Sequence, residues 1–270
     1  MDSRMGRFRI PSSLDFVLLV GLALILIPRA QAWSKEGHAL TCQIAQSLLE
    51  QEAAEAVANL LPHNVNGDLS ALCTWPDQIR HWYKYRWTSS LHFIDTPDGA
   101  CNYDYERDCH DLHGVGGMCV AGAIQNFTLQ LLHYREGTAD RRCKESNSKI
   151  FVWDREIILT ALKDYYDKDL DSLMEAITGN ITDGIWADDV PSWGKCDDLL
   201  PCLNQYASES VKIACKWGYK GVKSGDTLAD EYFNSRMPIV MKRIAQGGVR
   251  LAMILNSVFG DSGEGFAAAT

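Results

Sequence analysis

The N-terminal segment constrains this chain before any helix or strand is considered. Arg4, Arg7 and Arg9 form a basic head, Phe16 to Ile27 an apolar run interrupted only by Gly21, and Pro28-Arg29 lead into Ala30-Gln31-Ala32. This is the layout of a secretory leader ending on a small-x-small cleavage site. The run is short for a membrane span, and no other apolar stretch approaches its length. The expected mature chain is Trp33 to Thr270, without a membrane anchor, in the secretory pathway and finally extracellular or vacuolar.

That compartment gives the cysteines their meaning. All nine (Cys42, Cys73, Cys101, Cys109, Cys119, Cys143, Cys196, Cys202 and Cys215) follow the leader, where they can pair. An odd number leaves one thiol over, and spacing alone does not fix the connectivity. Asn126-Phe127-Thr128 and Asn180-Ile181-Thr182 become usable glycan acceptors in the same compartment.

The patterning is helical. Apolar residues recur on one face from Ala39 to Leu61, with Pro62 as a stop, and again over Val120 to Tyr134 and Asp154 to Tyr166. Thr227 to Phe259 is a long periodic segment, expected to bend or break near Pro238 and at Gly247-Gly248. Leu91 to Ile94 is the one short strand candidate, beside a loop-rich region rich in Asp, Gly and Cys. The expectation is a mainly α, disulfide-stapled single domain over residues 33–260, with a tail at 261–270 that frays.

Charge excludes a basic nucleic-acid groove. The chain has 26 Lys+Arg against 35 Asp+Glu. Removing the leader takes four basic and two acidic residues, leaving 22 against 33 and a net charge of −11. If phosphate is the substrate, bound cations must neutralise it.

Four local features could hold such cations or use them. Cleavage at Ala32 makes Trp33 an N-terminus whose α-amine, with a pKa of about 8, a metal can deprotonate and bind beside His38. In Trp75-Pro76-Asp77-Gln78-Ile79-Arg80, Asp77 could ligate a metal while Arg80, one turn on, meets a phosphate oxygen. In His92-Phe93-Ile94-Asp95, an extended backbone would aim His92 one way and Phe93 with Asp95 the other, a metal ligand opposite a base-stacking ring and an acceptor. Asp154 opens a helix after Trp153. Each has a plainer reading, as an N-cap, a satisfied core histidine or a core ring. His110, Asp111 and His113 look like a metal cluster but sit between Cys109 and Cys119, which favours a solvated disulfide loop.

Taken together, the run Trp33 to His38, the run Leu69 to Arg80 and the run His92 to Pro97 resemble the plant bifunctional nucleases. These belong to the zinc-dependent, single-strand-specific nucleases first known from moulds, which are distantly similar to the zinc phospholipases C. Phe151 to Lys163, Tyr206 to Gly225 and Glu231 to Asn256 extend the likeness over the mature chain. The resemblance implies a helical, monomeric domain holding three zinc ions. It implies hydrolysis of phosphodiesters in single-stranded DNA and RNA, and of 3′-nucleotides, by a metal-activated hydroxide. It assigns Trp33, His38, Asp77, His92 and Asp154 as zinc ligands and Asp77 and Arg80 as catalytic. It assigns Phe93, Asp95 and Tyr83 to the substrate. It also implies disulfides Cys42–Cys73, Cys101–Cys215, Cys109–Cys119 and Cys196–Cys202, with Cys143 left free.

One departure is large. Between Asp140-Arg141-Arg142 and Val152-Trp153-Asp154, such nucleases carry several tens of residues with a histidine-rich helix and a Gly-Asp-x-His-Gln-Pro-x-His run. Here Cys143 to Phe151 bridges the two sides, no histidine follows His133, and Ile150 stands where a histidine is expected four residues before Asp154. Three zinc-ligating histidines and a metal-bridging aspartate are missing on this count. A half shell holds metal poorly, and loss of a central helix opens a cavity or bares apolar faces. Either the chain is a splice or gene-model form of an active nuclease, or it is a degenerate paralogue that binds nucleic acid or zinc without turnover.

Overall fold

The computed structural model describes residues 34–111, 113–135, 156–195, 198–222, 228 and 230–260. The leader, Trp33, Cys143, Asp154, Cys196 and the tail therefore lie outside the described residues. Ten α-helices are described in chain order: α1 (Lys35–Ser47), α2 (Gln51–Leu60), α3 (Trp75–Ile79), α4 (Tyr105–Asp108), α5 (Val120–Arg135), α6 (Ile157–Tyr165), α7 (Leu170–Thr182), α8 (Val190–Trp193), α9 (Leu199–Ile213) and α10 (Asp230–Phe259). Short 3₁₀ turns lie at His63–Val65 and Leu69–Leu72, a longer 3₁₀ helix at Tyr83–His92, and a π turn at Ala214–Gly218. Among the described residues the one β pairing is an isolated bridge, His110 to Gly116.

The mainly α expectation holds, and α10 is the axis of the fold. It lies against α1, α2, α5, α6, α7 and α8. Leu40 and Ile44 of α1, Ile157 and Ile158 of α6, Leu173 and Ile177 of α7 and Val240 and Ile244 of α10 are buried together. A second cluster joins the Cys109–Cys119 disulfide to Leu199 and Leu203 of α9 and to Ile254 and Val258 of α10.

Three expectations are corrected. Residues 39–61 are not one helix, because α1 ends at Ser47 and α2 begins at Gln51. The polar groups freed at that break go to α10: Asn256 Nδ2 donates to the Leu48 carbonyl at 3.1 Å, and the Glu50 N–H donates to Asn256 Oδ1 at 2.9 Å. The C-terminal helix, conversely, runs unbroken through Pro238 and Gly247-Gly248. Gly248 is there for contact, since a Cβ on it would meet Ile44 Cγ2 at 2.4 Å and the Thr41 carbonyl at 3.1 Å. The strand expected at 91–94 is instead the end of the 3₁₀ helix followed by one extended residue, Phe93.

The disulfides Cys42–Cys73, Cys101–Cys215 and Cys109–Cys119 form as the resemblance implies. Cys202 is disulfide-bonded as well. A hollow of about 520 Å³ lies between α1, α6 and α7, floored by Ala39, Leu159, Leu162 and Leu170. On α5, Ile124 and Phe127 are exposed. Among the described residues no helix is long and apolar enough to cross a membrane.

Candidate metal centre

The first ligand candidate is fixed by its helix start. Ser34 caps α1, its Oγ accepting from the Gly37 N–H at 3.3 Å. Its carbonyl lies 3.0 Å from His38 Nδ1, which leaves Nε2 of the same ring free to face inward. That is how a metal-ligating imidazole is usually oriented, by a backbone carbonyl on its other nitrogen. His38 lies four residues before Cys42, and Asp77 four residues after Cys73. The Cys42–Cys73 bond, with its Cα atoms 6.5 Å apart, therefore ties α1 to the approach of α3 one turn from each side chain.

Asp77 is the meeting point. His38 Nε2 stands 3.3 Å from its Oδ2, and His92 Nδ1 stands 3.1 Å from its Oδ1. Arg80 Nε, one turn along α3, is 3.3 Å from Oδ1. Asp77 and Arg80 are both buried. Burial pushes the Asp77 carboxyl up, but the His92 imidazole and the charges of His38 and Arg80 outweigh it and hold it below the ordinary carboxylate range.

Asp77 Oδ1 is buried between His92 Nδ1 and Arg80 Nε, with no well-formed hydrogen bond to either. A buried carboxylate oxygen without a well-formed hydrogen bond, flanked by imidazoles, suits a cation. Ligand atoms at the corners of a tetrahedral zinc shell stand about 3.4 Å apart, close to the separations seen here. Yet among the described residues no three His, Cys, Asp or Glu side chains form a group that could hold a metal. The geometry explains the difference, because the two imidazoles pair with opposite oxygens of one carboxylate rather than converging on one point. His38, Asp77 and His92 thus fit part of a zinc site, while Trp33 and Asp154 lie outside the described residues.

The remaining candidates divide. Phe93 is half-buried and its carbonyl accepts from the Val120 N–H at 3.0 Å, while Asp95 is exposed two residues on. Tyr83 is 88% exposed. The His110–His113 segment is a disulfide loop: Asp111 Oδ1 accepts from the His113 and Val115 N–H groups, a turn rather than a ligand set. Of the glycan acceptors, Asn126 is exposed on α5, whereas Asn180 on α7 is half-buried with Nδ2 donating to the Ala176 carbonyl.

The S1/P1 nuclease family model matches residues 33–150 and 145–260. The chain belongs to the S1/P1 nuclease family. It is 57% identical to Endonuclease 1 of Arabidopsis thaliana over 93% of this chain and 95% of that protein. It is 43% identical to Endonuclease 4 of the same plant over 87% and 91%, and 26% identical to Nuclease P1 of Penicillium citrinum over 84% and 98%. Family membership makes this a hydrolytic nuclease of a generally metal-dependent kind.

The alignment with Endonuclease 1 spans 289 positions but draws on 93% of 270 residues, about 251, so about 38 positions of that relative face a gap in this chain. The family model likewise matches in two pieces that overlap at 145–150.

His38, Asp77, Arg80 and His92, all legible as candidates in the sequence, lie together here, and Ser34, which orients His38, is an addition from the structure. The signal was available, since a Ser followed by Lys-Glu-Gly opens a helix and places its carbonyl one turn from residue 38.

Proposed function

We propose that this chain carries part of the active centre of a secreted zinc-dependent endonuclease acting on single-stranded DNA and RNA and on 3′-nucleotides. The observation that supports the reading best is the buried Asp77 carboxylate held between His38 and His92 with Arg80 behind it. His38, Asp77 and His92, with Trp33 and Asp154, would hold zinc, which when bound supplies Lewis acidity toward a phosphoryl oxygen. The protein's own groups do the rest. Ser34 keeps His38 facing inward, Asp77 supplies the negative charge that retains a cation, and Arg80 turns from Asp77 to a phosphate oxygen. Phe93 stacks the adjoining base while Asp95 accepts from its edge. The names of the relatives, endonucleases and nucleases, agree with this reading.

The test is zinc content and cleavage measured on one secreted preparation. Fewer than three zinc ions per chain, lost on Asp77→Asn or His92→Ala, together with slow single-strand cleavage abolished by a chelator, is the expected result. Cleavage that persists without metal, or that prefers duplex, would overturn the proposal.

A second reading is favoured by the gap of about 38 aligned positions and by the absence of histidine after His133. In it the chain retains single strands or zinc without turnover. A folded, monodisperse secreted product that binds an oligonucleotide and leaves it intact over hours would select that reading.

A further inference from the structure

The hollow between α1, α6 and α7 joins an aliphatic floor to a cationic rim. Leu162 is buried, while Ala39, Leu159 and Leu170 are half-buried and turn a face to the hollow. The charged residues around them are Lys35, Lys163 and Lys168 against Glu36. Three cations to one acid is the reverse of the balance in a chain of net charge −9. Lys163 lies 3.6 Å from Asp164, whereas Lys35 and Lys168 have no ion-pair partner among the described residues. None of His38, Asp77, Arg80 and His92 lines the hollow, which sets it apart from the metal centre.

The two unpaired lysines both stand against local preference. Asp167 and Lys168 have φ values of 48° and 64°, left-handed backbone in two consecutive residues that are not glycine. A helix end of this kind ordinarily carries Gly or Asn. The turn closes because the Lys168 N–H donates to the Leu162 carbonyl at 2.7 Å, two residues before Leu170 enters the floor. A cation after α6 does suit the negative end of that helix. The same rule disfavours Lys35, which is the first residue of α1 and sits at its positive end. Local rules broken without a local gain are expected where a chain has a function to serve.

The lining selects the ligand. Among the described residues no aromatic ring borders the hollow, so it offers a base nothing to stack on. A protein partner needs about 800 Å² per side, more than four aliphatic side chains can supply. At about 520 Å³ the hollow is instead within the range of small-molecule sites, about 300–1,000 Å³. Leucine and alanine methyl groups match an alkyl chain, and unpaired ammonium groups match an anionic head. We propose that this hollow binds a free fatty-acid anion, with its alkyl chain on Ala39, Leu159, Leu162 and Leu170 and its carboxylate held by Lys35 and Lys168. Nothing in this depends on zinc or on the nuclease reading.

The test is isothermal titration calorimetry of the full secreted chain in a chelator, with hexanoate, octanoate and decanoate as probes. Affinity should rise about twofold to fourfold for each added methylene, the upper figure being full burial, and acetate should not bind. Decyltrimethylammonium, with the same chain and the opposite charge, should bind at least about fivefold more weakly than decanoate. K35E/K168E should weaken decanoate at least about fivefold and leave decanol unchanged. A39W, which fills the hollow, should abolish binding of both. Thermal melts show that each variant folds, and L159N takes the place of A39W if that variant does not. Affinity that is indifferent to chain length, or that survives K35E/K168E and A39W alike, overturns the proposal. So does a chain that takes up no decanoate, because the hollow is then filled by the protein itself or too open to hold a ligand. If the chain pellets with vesicles of anionic phospholipid but ignores free decanoate, the face is a membrane contact and the proposal falls. It falls too if A39W dissolves a dimer and spares decanoate binding.

Discussion

At the scale of residues, two carboxylates, buried Asp77 and part-buried Glu209, do different work. Asp77 faces two imidazoles and a guanidinium, so truncating it removes a buried carboxylate from among three groups that can carry positive charge. Removing one partner of a buried pair costs about 3–5 kcal/mol. Asp77→Ala should therefore lower the chain's stability in urea by about 3 kcal/mol in a chelator, showing that this side chain matters to folding before any metal enters. Glu209 of α9 is purely structural. Its Oε2 lies 2.6 Å from Arg250 Nη2 and 3.3 Å from Arg243 Nη1, and Arg250 also donates to the Trp193 carbonyl and stacks 3.7 Å from the Tyr206 ring centroid. Burial raises the Glu209 carboxyl, but the Arg250 hydrogen bond and the two arginine charges bring it below its ordinary 4.5. A carboxyl depressed by folding stabilises above its unfolded pKa, and that contribution is lost as pH falls through the folded value. Glu209 is partly exposed, so Glu209→Gln should cost only about 1–2 kcal/mol near neutral pH. The difference from wild type should close as urea denaturation is repeated at successively lower pH below 4.5; a gap of constant size would remove Glu209 from the account.

At the scale of elements, the site exists because a disulfide joins two short pieces of helix. The Cys42–Cys73 bond closes a loop with a sequence separation of 31, a constraint of about 3–4 kcal/mol in the chain-entropy view. Cys73→Ser should therefore lower zinc affinity as well as stability, because His38 and Asp77 lose the tie that sets their separation; metal titration by calorimetry reads this directly. Gly248 makes a contrasting case. Gly248→Ala gains helix propensity, about 1 kcal/mol, yet places a methyl against Ile44 and should destabilise by about 1–3 kcal/mol. Gly247→Ala, whose Cβ would meet only Thr41 Cγ2 at 3.4 Å, should be neutral or stabilising, and thermal melts of the pair separate the two. These contacts also show what periodicity can tell. The existence of α1, α5, α6 and α10 was legible, because apolar spacing is local. The break after Ser47 was not, because its cause is Asn256, far along the chain. Nor was the continuity of α10, which is set by packing on α1 rather than by Pro238 or the glycines. At the site, His38, Asp77, Arg80 and His92 could be read from their motifs. Which oxygen each faces could not, because that depends on a 3₁₀ helix where a strand was expected.

At the scale of the molecule, the question is whether the fold tolerates what the alignment says is absent. The core around α10 joins α1, α6 and α7, and the disulfides tie α1 to the approach of α3 and the loop at Cys101 to the π turn. The hollow between α1, α6 and α7 and the exposed Ile124 and Phe127 leave apolar surface uncovered among the described residues. A metal shell closes cooperatively, since every ligand added fixes the others and their outer hydrogen bonds. Ile150→His alone should therefore do little, adding one imidazole to a set still short of several. Inserting the corresponding segment of Endonuclease 1 between Arg142 and Phe151 tests together the helix and the ligands that the family resemblance implies. That chimera should raise zinc per chain, raise the melting temperature and bring chelator-sensitive cleavage of single-stranded DNA, all in one step. If Ile150→His matches it in zinc content and rate, the shell was nearly complete already and the gap is a tolerated loop deletion; if the chimera folds and takes up zinc but does not cut, the lineage had abandoned catalysis before the segment was lost.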